Sequence, residues 1–231
     1  MFVRALVLQF GLLASAGVSA AAPAAPAAPW EAGKHYFLID PPQRTETPGK
    51  IEVTEVFSYG CPACNFAHTF LADIRKRLPP NVVMTYVPAA FKPNEDWPMF
   101  QRAYLAAQVL GIADKSHEAM FDAVWKADAP LAIMNADGRT LKNPMPTIED
   151  AAKFYAQYGV KAEDFVATAN SFTISTKMKQ ADAYIRTSGT DSTPTIVVAG
   201  KYRMTFVSAG NDWKLLEQLM HYLIQKEASG G

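Results

Sequence analysis

Residues 50–64, KIEVTEVFSYGCPAC, constrain the fold more than any other stretch of the chain. Ile51, Val53, Glu55 and Phe57 share one parity, and Glu52, Thr54, Val56 and Ser58 share the other. With its β-branched and aromatic content, this alternation predicts a strand. Gly60 breaks the strand, and Pro62 suits the first turn of a helix, where its missing N–H costs nothing. The segment CNFAHTFLADIRKRL then carries Phe66, Phe70, Leu71, Ile74 and Leu78 near helical spacing until Pro79-Pro80 stops it. NVVMTYVPA reads as a second strand. Strand, helix, strand is a βαβ unit, and it brings parallel pairing with it.

From Met99 onward the pattern turns helical. MFQRAYLAAQVLG, KSHEAMFDAVWKA, IEDAAKFYAQYG, KAEDFVATANS and ISTKMKQADAYIRT all read as helices. They are interrupted by a long Pro-bearing loop over residues 128–146, of a length that is commonly functional or disordered. Thr147 with Asp150 predicts a capping box, and Gly159 a helix end. Strand character returns in TPTIVVAGKYRM, where Pro194 opens the strand and Ala199-Gly200 turns it. DWKLLEQLMHYLIQK closes the chain as an amphipathic helix, with Trp213, Leu216, Leu219, Met220 and Leu223 on one face. The expected fold is α/β: βαβ, a helical insertion, then ββα. Its ends close one mixed sheet with helices on both faces. The expected divisions are residues 30–90, an inserted helical subdomain at 91–187, and 188–228.

The 231 residues are 49% hydrophobic, with 22 basic and 22 acidic residues. That suits one globular unit with an insertion and gives no basic surface for nucleic acid. The first 20 residues, MFVRALVLQFGLLASAGVSA, carry Arg4, an apolar run and a small-residue tail. They read as a secretory signal cleaved near Ala20. The alternative is an uncleaved anchor, but an apolar run of about 14 residues is short against the ~20 that spanning requires. Residues 21–29, AAPAAPAAP, read as an extended spacer.

Export sharpens the question posed by Cys61 and Cys64, which are the chain's two cysteines. A staple closing so short a loop adds little, and a chain of this size does not need one. A zinc site wants two more ligands, but there is no second C-x-x-C, and His35, His117 and His221 are scattered. Haem attachment wants His after the second Cys, where Asn65 stands. Redox chemistry is the favoured reading, with no metal or other cofactor. A cysteine at a helix start faces free N–H groups and the positive end of the helix dipole, both of which favour its thiolate. The expectation is therefore an accessible Cys61 and a buried Cys64. Glu55 puts a carboxylate on an apolar face. It is read either as a strand end reaching solvent or as a buried acid beneath Cys64 with a raised pKa. Phe57, Tyr59, Phe66 and Phe70 are read mostly as core, although Tyr59 beside Pro62 offers an apolar client surface. His68 is read as a surface residue or as a source of positive charge for the thiolate.

FSYGCPAC, STPTIVVAGKY and the helices between them resemble the DsbA family, the thioredoxin-fold thiol:disulfide oxidoreductases of the bacterial periplasm, over about residues 30–228. The resemblance implies a thioredoxin-like mixed sheet with an inserted helical subdomain. It implies catalysis by Cys61 and Cys64, with Pro62 and Ala63 between them, and a cis Pro194 facing the pair. The backbone of Thr193 would be free to bind an extended client, and Glu55 would serve as the buried acid. It further implies a monomer whose partners are reduced exported proteins with cysteine pairs and a DsbB-like membrane oxidase. The best-known members carry His where this chain has Ala63, and the 128–146 loop is longer than usual in the family. A disulfide isomerase or reductase of the same fold, and a client-binding module without redox chemistry, are the rival readings.

Overall fold

The computed structural model describes residues 30–230; the signal and spacer expected at 1–29 lie outside the described residues. Five strands form one sheet: β1 (Phe37–Leu38), β2 (Ile51–Phe57), β3 (Val82–Pro88), β4 (Thr195–Val198) and β5 (Tyr202–Thr205). Their order is β1-β5-β4-β2-β3. β2 and β3 run parallel, as a βαβ unit requires, and β2–β4, β4–β5 and β1–β5 are antiparallel. The helices are α1 (Pro62–Arg77), α2 (Trp97–Val109), α3 (Ala113–Trp125), α4 (Ile148–Tyr155), α5 (Ala162–Ala169), α6 (Phe172–Thr187) and α7 (Trp213–Ala228). Thus α2 to α6 are inserted between β3 and β4 of a mixed sheet, which is the expected architecture.

Local chemistry sets the boundaries. Pro62 sits in the first turn of α1, and Leu78 leaves the helix in an extended conformation, as a residue before proline prefers. The Thr147–Asp150 capping box opens α4, and Asp212 caps α7 by accepting from Lys214 and Leu215 N–H at 2.7 and 3.1 Å. β1 has no sequence signal; two residues are too few to show a period, and its pairing with β5 is set by tertiary packing.

Two cores flank the sheet. On one face, Ala67, Leu71 and Ile74 of α1 and Leu216, Leu219, Met220 and Leu223 of α7 pack on Val53, Ile196 and Val198. The other core joins Val56 and the end of β2 to the inserted helices. The sequence reading of α1 needs one correction. Phe66 is 78% exposed, and the inward stripe is Cys64, Ala67, Leu71 and Ile74. Helix phase is fixed by Cys64 at the buried first turn, which rotates Phe66 outward. The 128–146 loop is anchored rather than free. Leu131 and Ile133 are buried, and their N–H groups donate to Ala123 and Val124 carbonyls of α3 at 3.0 and 3.2 Å.

Candidate active site

Cys61 is the N-cap of α1. Its Sγ accepts the Cys64 N–H at 3.3 Å, and its thiol donates to the Thr193 carbonyl at 3.4 Å. The Thr193–Pro194 peptide bond is cis and precedes β4. The Thr193 contact brings two distant parts of the chain together at one sulfur. Both cysteines are free thiols. Pro62 and Ala63 are exposed beside them, with Phe66 one turn further on.

The two sulfurs are electrically unequal. The Cys61 pKa is held down to about 6, first by the Cys64 thiol donating to it, and also by backbone N–H groups of Ala63 and Cys64; burial opposes the shift. The Cys64 thiol is pushed well above the ordinary range by burial, by the neighbouring Cys61 sulfur and by Glu55. Cys61 is less accessible than the sequence suggested. It is 4% exposed, with the Thr193 carbonyl against its sulfur, while Cys64 is fully covered.

Glu55 is 2% exposed, and its Oε1 has no hydrogen-bond partner among the described residues. Burial pushes its carboxyl up to about 8, with smaller pushes from Glu118 and Cys61. β2 runs mid-sheet, so its carboxylate cannot reach solvent as one at a strand end can. The solvent-facing reading fails: the carboxyl is buried.

Several supporting residues were invisible in the sequence. The Trp125 Nε1–H donates to the Tyr59 carbonyl at 2.7 Å, and Tyr59 Oη meets His117 Nδ1 at 3.0 Å, so α3 holds the turn that presents Cys61. Burial, with Arg75 and His68 nearby, pushes His117 down to about 3, leaving it neutral. Tyr59 itself is 1% exposed and is not a client surface. His68 bonds Glu118 at 2.6 Å and stacks on Phe121, committing its ring to α3. Among the described residues, no three His, Cys, Asp or Glu side chains gather as metal donors.

Gly60 packs directly against the Trp97 indole. A Cβ there would lie 2.9 Å from both Trp97 Cδ1 and Nε1, and Trp97 is itself buried. Gly60→Ala is expected to destabilise the protein by about 1–3 kcal/mol, as overpacking of a tight site does. Urea unfolding followed by tryptophan fluorescence reads this directly; an unchanged midpoint would mean the ring has room to move.

Comparison with known proteins follows the same line. No family model matches the chain. The thiol:disulfide interchange protein DsbA of Pseudomonas aeruginosa is 35% identical over 204 residues, covering 88% of this chain and 89% of the relative. That decides the family. The chain belongs to the DsbA family. DsbA of Bordetella parapertussis is 32% identical over 213 residues, 90% of this chain and 94% of the relative. Among solved structures, DsbA of Xylella fastidiosa matches with a TM-score of 0.72 at 36% identity, covering 84% of this chain and 95% of that one. The crystal structure of the Pseudomonas aeruginosa DsbA matches with a TM-score of 0.72 at 32% identity, covering 87% and 96%. As a DsbA-family member the protein is a thiol:disulfide oxidoreductase, and Cys61–Cys64 occupies its active-site position.

Proposed function

We propose that this DsbA-family protein is an exported oxidant that donates its Cys61–Cys64 disulfide to reduced client proteins. The observation that carries this reading is the opposed pair of thiols: Cys61 favours the thiolate and Cys64 the thiol. A client thiolate attacks Cys61 Sγ, the Cys61–Cys64 bond breaks, and Cys64 leaves with the electron pair. Glu55 is the acid that protonates the departing Cys64 sulfur. The client's second thiolate then attacks the client sulfur of the mixed disulfide. The client disulfide forms, Cys61 leaves as a stabilised thiolate, and two electrons stay on the protein. Thr193, whose carbonyl accepts from the Cys61 thiol, offers its backbone to an extended client segment. The exposed Pro62, Ala63 and Phe66 give that segment an apolar floor. A DsbB-like membrane oxidase restores the disulfide. The leader reading of residues 1–20 supports placement in the periplasm, and one chain carries both sulfurs, so a monomer suffices.

Helix-start thiols titrate across roughly 3.5 to 7.5, the low end of that range being a DsbA. Cys61, at about 6, is lowered by Cys64 and the backbone, with no contribution from the Ala63 side chain. A thiol lowered in this way is the leaving group that a disulfide donor needs. Mixing the oxidised protein with a reduced two-cysteine peptide is expected to transfer the disulfide stoichiometrically. A pair that stays oxidised beside the reduced peptide would overturn the reading in favour of a reductant or isomerase.

A further inference from the structure

A cleft of about 410 Å³ lies between the sheet's β3 edge and the inserted helices, lined by Tyr86, Tyr104, Gln108, Asp114 and Tyr184 among others. Tyr86 reaches it; Glu55 does not. In the β2–β3 register Tyr86 is the direct partner of Glu55, so the two side chains are neighbours on one face of the sheet. The Tyr86 ring is held from several sides. The Arg75 guanidinium of α1 lies 5.7 Å from its centroid and is itself pinned by Asp114 of α3 at 3.1 Å. The His117 ring lies 4.3 Å away. The groups facing Glu55 are Cys61 and Cys64 from α1, Glu118 from α3 and Tyr86 from β3, while its β4 partner Ile196 is apolar. None of these is a cation in contact with the carboxyl. Once Glu55 has given its proton to Cys64, a proton must come from solvent, and Tyr86 is the strand partner of Glu55 that also lines an open cleft.

We propose that the Tyr86 ring, clamped by Arg75, is the wall between this cleft and Glu55, and that its displacement admits the water that returns a proton to Glu55. Tyr86 is a positioning residue: it touches neither sulfur and acts through Glu55. The inference rests on the reading of Glu55 as the acid for Cys64. After each exchange the Glu55 carboxylate takes one proton from water entering by the cleft and becomes the carboxylic acid again. No oxidant or reductant is involved in this step.

Infrared difference spectra between the oxidised and reduced protein test it, with the Glu55 carboxyl band assigned by its absence in Glu55→Gln. Tyr86→Ala is expected to speed deuterium uptake at that band at least about tenfold after transfer to D₂O, because the opening step is removed. It is also expected to move the band's titration down towards the ordinary carboxylate range as the site wets. Tyr86→Phe keeps the ring and is expected to behave as the unaltered protein. Arg75→Gln, a change at a half-buried helix position, is expected to speed uptake in the same direction and serves if Tyr86→Ala does not fold. Native uptake and titration in Tyr86→Ala, or in Arg75→Gln where Tyr86→Ala does not fold, would overturn the wall. So would a Tyr86→Phe protein that matches Tyr86→Ala, since the hydroxyl rather than the ring would then carry the effect. A Glu55 band that does not respond to oxidation in the unaltered protein would remove the acid role itself, and the wall with it, whatever the Tyr86 variants do.

Discussion

Cys61→Ala will reduce disulfide transfer to the uncatalysed background and form no client adducts, whereas Cys64→Ala will accumulate mixed disulfides through Cys61. The asymmetry follows from position. Cys61 caps α1 and shows a sliver of surface beside the exposed Pro62 and Ala63, while Cys64 is wholly covered one turn deeper. With a pKa of about 6, Cys61 is mostly thiolate at pH 7, which makes it the better leaving group. Removing Cys64 takes away the resolving sulfur but also the thiol that donates to Cys61, so the Cys61 pKa should rise in Cys64→Ala. Mass spectrometry of adducts under non-reducing conditions, with thiolate absorbance followed against pH, checks both statements. Adducts through Cys64 in the Cys61→Ala protein would break the assignment. The same depressed pKa stabilises the reduced folded protein. That contribution is fully present above the ordinary thiol pKa and is lost as pH falls through about 6. At pH 7 it amounts to roughly 1 kcal/mol in favour of the reduced form, which is the direction an oxidant needs.

The strand–turn–helix around Cys61 was legible because each signal is local: alternation in β2, Gly60 as the breaker, Pro62 at the helix start. Strand parity also put Glu55 on the face of Val53 and Phe57, but whether its carboxyl reached solvent depended on the strands that flank β2. What stayed hidden depends on partners far along the chain. Nothing local distinguishes Tyr86 from any other aromatic in a strand; its meaning comes from its register with Glu55 and from Arg75 of α1 over its ring, itself held by Asp114 of α3. Gly60 reads as a simple breaker until Trp97 is seen packed against it. Phe66 was misplaced because hydrophobicity suggested a helix phase that the buried Cys64 overrides. The Thr193 contact with Cys61 spans most of the chain, and only the family resemblance pointed to it.

Glu55→Gln should stabilise the reduced protein at neutral pH while slowing client oxidation, and the two effects together identify what the carboxyl is for. Its pKa is raised to about 8 in the fold, whereas an unfolded glutamate titrates near 4.3. Between those values the folded chain holds a proton that the unfolded chain has released. Stability is therefore highest below about pH 4 and falls as pH rises towards 8, since the folded state binds more protons. At pH 7 the handicap is on the order of 3 kcal/mol, and Gln, a neutral isostere, removes it. Urea unfolding at pH 4, 6 and 8 should show the variant matching the unaltered protein at pH 4 and exceeding it increasingly at 6 and 8. A uniform offset at all three would point to packing rather than ionisation. Over the same range the variant lacks the acid that protonates the departing Cys64, and loss of a positioned acid costs about a hundredfold or more in rate. A residue kept for packing would be expected to lower stability when replaced and leave the pH profile of exchange alone. Glu55 is expected to do the reverse, because a buried carboxyl without a hydrogen-bond partner for Oε1 weakens the fold at neutral pH, and the role proposed for it is to deliver a proton to Cys64.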